Sequence, residues 1–325
     1  MQSYRIVKNS NVVKHIVESK HKGTLGHNYI FYANSSRDLE ELMRGAAMAI
    51  MCDDDGCGNC EYCTKILKDS MMDVTVLPEG ITSDIINDMI YSASLAPINK
   101  TGYKIYLIPY GESFFNANAN KLLKLLEEPP EGCIFFIGAR SESKLLSTIK
   151  SRSVQLRYIP DEQTSEIISE EYPELSPTQI RLTMKLTGNS FSETIKMLLN
   201  GDPIGDEYEK VLDMFKKLSS SKNVPDIVMT ELFTKDNISR TLSFSEILFR
   251  DLNCLCSKRN NYLTAPSFLK GYMEILASGY NVNSISLVLE KINKAVEKLN
   301  FNCNSVAVAS DLLMSILEVR YRCKL

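Results

Sequence analysis

Cys52, Cys57, Cys60 and Cys63 follow one another as C-x4-C-x2-C-x2-C, the densest concentration of metal-binding chemistry in the chain. Four thiolates so closely spaced can close a tetrahedral shell around zinc with no open position, which is a structural rather than a catalytic arrangement. Between them, Asp53-Asp54-Asp55-Gly56 and Gly58-Asn59 are turn formers that let so short a segment fold back on itself. Ligand chemistry alone would also accept an iron–sulfur cluster, and a loose group of free thiols is the third reading. Arg152 offers a second kind of chemistry, because a guanidinium is a planar fork of donors suited to phosphate. Taken by itself, however, Ser151-Arg152-Ser153 sits in a basic stretch from Lys144 to Arg157, where most side chains are merely solvated.

The surroundings of Arg152 change its meaning. The run Asn118-Ala119-Asn120-Lys121-Leu122-Leu123-Lys124-Leu125-Leu126-Glu127-Glu128-Pro129-Pro130 precedes Leu145-Leu146-Ser147-Thr148-Ile149-Lys150 and then Ser151-Arg152-Ser153. Together they resemble the "ANALLKTLEEPP... SRC" signature of the bacterial clamp-loader family, the AAA+ proteins that open the replicative sliding clamp. That resemblance implies that Arg152 is an arginine finger, reaching across a subunit interface to the nucleotide of a neighbour. Such a finger stabilises the charge that builds on a transferring phosphoryl group. The family's Cys after this Arg is Ser153 here.

Laid along the chain, the same resemblance implies that this subunit's own nucleotide site is degenerate. After the strand Tyr29-Ile30-Phe31-Tyr32, the family places a loop whose backbone N–H groups cradle phosphate, then a Lys and a hydroxyl for magnesium. Here the loop reads Ala33-Asn34-Ser35-Ser36-Arg37-Asp38-Leu39-Glu40. Counted from His27, Leu39 falls on the Lys position and Glu40 on the hydroxyl position, so the loop around Ser36 lacks its cation and gains repelling carboxylates. The strand Tyr103 to Ile108 should end in Asp-Glu, and those two positions are Pro109 and Tyr110, neither a ligand for a hard cation. Glu112, three places on, is the one carboxylate near enough to substitute. In the lid, where the family carries an Arg, stand Ser192 and Glu193. No ATP is therefore expected to be bound, and the chain is not expected to be an enzyme by itself.

The family also carries a zinc module between the phosphate-loop helix and the next strand, which favours structural zinc on Cys52, Cys57, Cys60 and Cys63. The gap between the first two ligands is shorter than the family's usual one. The implied partners are ATPase subunits of the gamma/tau type and a delta subunit. Direct contact with the sliding clamp is left open. Primer–template DNA would be bound weakly and only within the complex.

Alternating elements must position these residues. Val12, Val13, Ile16 and Val17 lie at helical spacing before the strand at Tyr29, and a helix from Asp38 to Met51 carries Leu42, Met43, Ala46, Ala47 and Ile50. Then come Val74 to Leu77 as strand, Ile85 to Ala93 as helix, the strand at Ile105, a helix Ala117 to Leu126, the strand Cys133 to Ile137 and a last strand Val154 to Tyr158. Strands alternating with helices imply a parallel sheet covered on both faces. After Pro160 no strand pattern remains. The expected class is α/β plus all-α, and the resemblance implies an AAA+ parallel-sheet domain with the zinc module over 1–160, a small helical lid over 161–205 and a helical collar, for oligomerisation, over 206–325. Ser176-Pro177 is a helix start, Gly188-Asn189 a break, and Asn200 to Gly205 a linker. In the collar, Ile285, Val288, Leu289, Ile292, Val296 and Leu299 recur at core spacing.

Composition sets the bounds. The 325 residues are 44% hydrophobic and 24% charged, an ordinary globular balance. A formal net charge of -3 argues against strong unaided DNA binding, since phosphate neutralisation needs a basic surface, although Lys20-His21-Lys22 could touch DNA inside a complex. No apolar run is long enough to span a bilayer. The opening Met1-Gln2-Ser3-Tyr4-Arg5 runs into polar sequence, so a cytoplasmic setting at the nucleoid is expected, where disulfides do not persist. Cys133, Cys254, Cys256, Cys303 and Cys323 are then read as buried apolar side chains. Two other classes fit part of the pattern: an ATP-binding gamma/tau-type subunit, against which Leu39 speaks, and a zinc-containing nucleic-acid adaptor, which would bind DNA or RNA tightly as a monomer.

Overall fold

Five short apolar runs pair as a parallel sheet: β1 (Asn28–Tyr32), β2 (Val74–Val76), β3 (Lys104–Ile108), β4 (Cys133–Ala139) and β5 (Val154–Arg157), in the order β2-β3-β4-β1-β5. The computed structural model describes residues 4–80, 82–113, 124–160, 162–201, 204–257, 270–301 and 303–322. Every residue of β1, β3 and β4 is buried, as a parallel sheet covered on both faces requires. Because side chains alternate, the register stacks two distinct layers. On one face Tyr106 and Phe135 stack at 5.3 Å beside Ile30 and Ile137. On the other, Phe136 meets Tyr29 edge-on at 5.6 Å and Phe31 at 4.9 Å.

Helices α1 (Tyr4–Asn9), α2 (Asn11–His21) and α3 (Ser36–Met51) precede and follow β1. Ser35 caps α3 by accepting the N–H of Arg37, so the helix begins two residues before the expected Asp38. From Gly45 to Met51 it is buried all round, between the sheet and the α1–α2 pair. Gly45 permits that closeness, since a Cβ there would stand 2.2 Å from Val7 Cγ1. Next come α4 (Glu61–Leu67) and α5 (Ser83–Ala93), whose Ile86, Met89 and Ala93 cover the Tyr106–Phe135 face. The single-turn α6 (Ser147–Lys150) leads into β5, and α7 (Glu162–Glu171) follows it. Residues 117–123 of the helix expected before Pro129 lie outside the described residues, and residues 124–127 are helical, with Leu126 buried.

The chain divides into two compact units, Met1–Tyr172 with Asn189–Lys196, and Pro173–Gly188 with Met197–Leu325. Among the described residues no strand follows β5. In α8 (Pro177–Leu186) the Ser176 hydroxyl accepts the Gln179 N–H while the Gln179 side chain accepts the Ser176 N–H, a complete capping box. After α9 (Phe191–Leu199) come α10 (Ile204–Lys217), α11 (Val224–Val228), α12 (Ile238–Cys256), α13 (Lys270–Ala277), α14 (Val282–Asn300) and α15 (Ser305–Arg322). The second unit's core joins Tyr208, Phe215, Phe249, Ile285, Ile292 and Leu313.

Three sequence expectations need correction. Val296 is 39% exposed and Ala295 is buried in its place, because the inward positions of α14 run 285, 288, 292, 295. α10 begins at Ile204, inside the stretch expected to be linker. Among the described thiols expected to be buried, only Cys133 is fully so: Cys254 and Cys256 are half-buried, and Cys303 is exposed between α14 and α15. Cys323 lies outside the described residues.

Candidate functional site

α3 ends at Met51 and delivers Cys52, in extended conformation, to a loop that α4 closes. Asp55 (φ 52°), Gly56 (78°) and Gly58 (84°) are left-handed and turn the chain back on itself. The result brings the sulfurs of Cys52, Cys57, Cys60 and Cys63 within 4.8 Å of one another. A zinc–sulfur bond of about 2.3 Å implies a tetrahedron with edges of about 3.8 Å. Cys60 Sγ stands 3.6 Å from Cys52 Sγ. Backbone N–H groups point at the sulfurs: Cys57 donates to Cys52 Sγ at 3.4 Å, Asn59 and Cys60 to Cys57 Sγ at 3.4 and 3.2 Å, and Cys63 to Cys60 Sγ at 3.4 Å. Donors of this kind favour thiolate, and those of Asn59 and Cys60 bring the Cys57 thiol down to about 7. Donor type, number and spacing are compatible with a zinc site, and the sulfur of Cys52, despite its short interval to Cys57, lies within the cluster.

At the carboxyl ends of β1, β3 and β4, where parallel sheets take their ligands, Ser36, Pro109, Tyr110, Gly138, Ala139 and Arg140 border a cavity of about 570 Å³. Leu39 is 1% exposed and belongs to the core. Glu40 is engaged by Arg44, whose Nη2 lies 2.7 Å from Oε1. Glu112, the candidate replacement ligand, accepts the N–H groups of Arg140 at 2.8 Å and Ser141 at 2.9 Å, and pairs with Lys144 at 3.2 Å. Burial pushes its carboxyl up, but those N–H groups and the Lys144 ammonium outweigh it and hold the group below the usual range. This carboxylate therefore fastens the loop after β4. Gly138 lets Pro109 close over that loop, because a Cβ there would meet Pro109 O at 2.5 Å.

Asp38, in the first turn of α3 and one of the loop carboxylates expected to repel phosphate, is 1% exposed. Its Oδ1 accepts the Ser192 N–H at 3.0 Å and the Ser192 hydroxyl, so the loop carboxylate and the residue at the lid position satisfy each other. Burial pushes the Asp38 carboxyl up to about 6, against the pull of the Ser192 hydroxyl and N–H. The folded chain thus holds this proton more tightly than the unfolded chain, whose group titrates near 3.8. Stability from this residue falls as pH rises from about 4 to about 6 and is constant above. Asp38→Asn keeps an acceptor for the Ser192 N–H and removes the buried charge. It is expected to exceed the parent in stability by about 2–3 kcal/mol at pH 7.5 and to lose that advantage by pH 4. Urea titrations at both pH values check this, and an advantage equal at both would rule out carboxylate desolvation as its source.

Arg152 follows α6 with its side chain 40% exposed. Its Nη1 donates to Thr148 O at 3.0 Å and its Nη2 lies 2.9 Å from Glu127 Oε1. Beneath them the buried amide of Asn28, at the head of β1, donates to Leu126 O at 2.7 Å and to Arg152 O at 3.4 Å. The two signature motifs are therefore brought together, and Asn28 pins both backbones. A polar residue opening a strand that is otherwise apolar was the signal for it. Arg152 is not among the residues bordering the strand-end cavity.

Among the described residues no helix is long and apolar enough to cross a membrane. A family model described as DNA polymerase III, delta subunit, matches residues 8–162. DNA polymerase III subunit delta' of Bacillus subtilis (strain 168) is 24% identical, over 94% of this chain and 95% of its own length. The delta' subunit of Haemophilus influenzae is 33% identical over 39% of this chain and 41% of its own. DNA polymerase III subunit tau of B. subtilis is 29% identical over 45% of this chain and 27% of its own. Signature motifs, metal-ligand spacing and near-full-length similarity converge, and the chain is a homologue of the delta'/tau clamp-loader subunits of DNA polymerase III.

Proposed function

We propose that the chain is the non-hydrolysing delta-prime subunit, the stator, of a DNA polymerase III clamp loader. It presents Arg152 to the ATP site of a neighbouring gamma/tau-type subunit and works beside a delta subunit in loading the sliding clamp on primed DNA in the cytoplasm, at the nucleoid. The observation that carries this reading is the pairing of opposites in one domain. Where the family's phosphate Lys would stand, Leu39 is buried in the core, while Arg152 is held half-exposed outside the chain's own strand-end cavity. A guanidinium so placed can serve a phosphate that another subunit holds.

Zinc on Cys52, Cys57, Cys60 and Cys63 supports the domain structurally: four thiolates fill its coordination, so it has no place for a substrate. Coupling between neighbouring nucleotide and subunit position then runs through Arg152, because a ligand held by two subunits biases their relative placement. Contact with DNA is weak in the free chain, whose net charge is -3, and arises within the assembly.

Reconstitution tests the proposal. With gamma/tau and delta subunits of the same organism, clamp loading on primed DNA is expected to require this chain. Loading at full rate when it is left out would refute the role.

A further inference from the structure

Three side chains from α1 and α2 reach the cysteine loop. Lys20 Nζ donates to Cys52 O at 2.5 Å, to Ala49 O at 2.9 Å and to Asp55 Oδ1 at 3.2 Å, which uses all three of its protons, and the side chain is only 21% exposed. The Tyr4 hydroxyl donates to Gly56 O, and its ring lies so close that a Cβ on Gly58 would come 3.0 Å from Cε1. His21 Nε2 stands 2.7 Å from the other oxygen of Asp55.

A cation at the end of α3 could be explained as a helix cap alone, since Ala49 O and Cys52 O belong to the last turn. That leaves unexplained why the same ammonium also grips Asp55, a left-handed residue in the turn between the first two cysteines. It also leaves Tyr4 unexplained, which fastens the next residues of that turn, Gly56 and Gly58. Residues 53–60 form no helix or strand of their own, and contacts from Tyr4 of α1 and Lys20 of α2 fasten them. Charge points the same way. Four thiolates on a divalent cation leave an excess of negative charge, and the Lys20 ammonium stands one carbonyl away from the first ligand.

We infer that Lys20 and Tyr4 are positioning residues of the metal centre. They hold the loop in its ligating shape, so that α1, α2 and the cysteine loop act as one unit whose order and metal affinity are linked. This rests on the zinc reading above.

The test uses the full-length chain and zinc itself. Zinc affinity is measured by competition with a chromophoric chelator for the parent, Lys20→Met, Tyr4→Phe and, as a control, Lys14→Met, which alters an exposed residue of α2. Tyr4→Phe keeps the ring and removes only the hydroxyl, so it does not depend on a large packing change. Circular dichroism of each chain in excess chelator shows whether the metal-free fold is kept. Lys20→Met and Tyr4→Phe are expected to weaken zinc binding roughly 10- to 100-fold, the range for outer partners of metal ligands, with Lys14→Met unchanged. Zinc binding by the parent that both variants leave unaltered would overturn the inference alone. A parent that takes up no zinc would overturn the metal reading together with it.

Discussion

Arg152→Ala should slow ATP turnover at the site it serves by roughly 10³-fold or more in the reconstituted loader, while leaving assembly intact. The size follows from the chemistry: phosphoryl transfer is catalysed by positioning and charge stabilisation, and a finger is one of the few groups that meets charge only as it develops. Folding should not suffer. The guanidinium touches Thr148 O and the exposed Glu127 carboxylate, and ion pairs of that kind contribute at most about 1 kcal/mol. Arg152→Lys should recover only part of the rate, since it keeps the charge and loses the fork. Single-turnover hydrolysis with excess complex reads the effect directly. Full turnover by an assembled Ala variant would remove the finger from the mechanism.

The second large effect is metal loss. Protein purified with zinc is expected to carry about one ion per chain, and stripping it should lower the melting temperature by roughly 8–16 °C. That range corresponds to about 4 kcal/mol, the linkage expected when free metal exceeds its dissociation constant about a thousandfold. The loss should be concentrated where the cysteines act, at the end of α3 and the start of α4, because Cys52 and Cys63 are buried there while the loop between them has no regular structure. Elemental analysis with paired melts in zinc and in chelator checks this. A chain free of metal that melts at the same temperature in both would show that the four sulfurs cluster without an ion.

Much of the first unit was legible because its signals are local. β1, β3 and β4 are buried on both faces and so read as unbroken apolar runs, and α3 announces itself through Leu42, Met43, Ala46 and Ile50. The cysteines were legible for the same reason, since ligand type and spacing are written within a dozen positions. What escaped depends on partners far along the chain. Asp38 meets Ser192 across 154 positions, and Asn28 meets Arg152 across 124, so neither pairing leaves a periodic trace. On α14, Val296 matched the apolar pattern, but Ala295 is the residue that the neighbouring helices enclose. Cys303 failed as a core residue because it lies between α14 and α15, not in a helix.

The central claim is that a guanidinium given to a neighbour persists in a chain that no longer grips triphosphate. Titration of the purified chain with a fluorescent ATP analogue and magnesium tests it most directly. Leu39 in the core stands where the family's phosphate Lys would be, Glu40 is held by Arg44 and Glu112 is committed to the loop after β4, so no saturable binding is expected. Saturable binding at micromolar analogue would contradict it and make the chain a nucleotide-binding motor subunit.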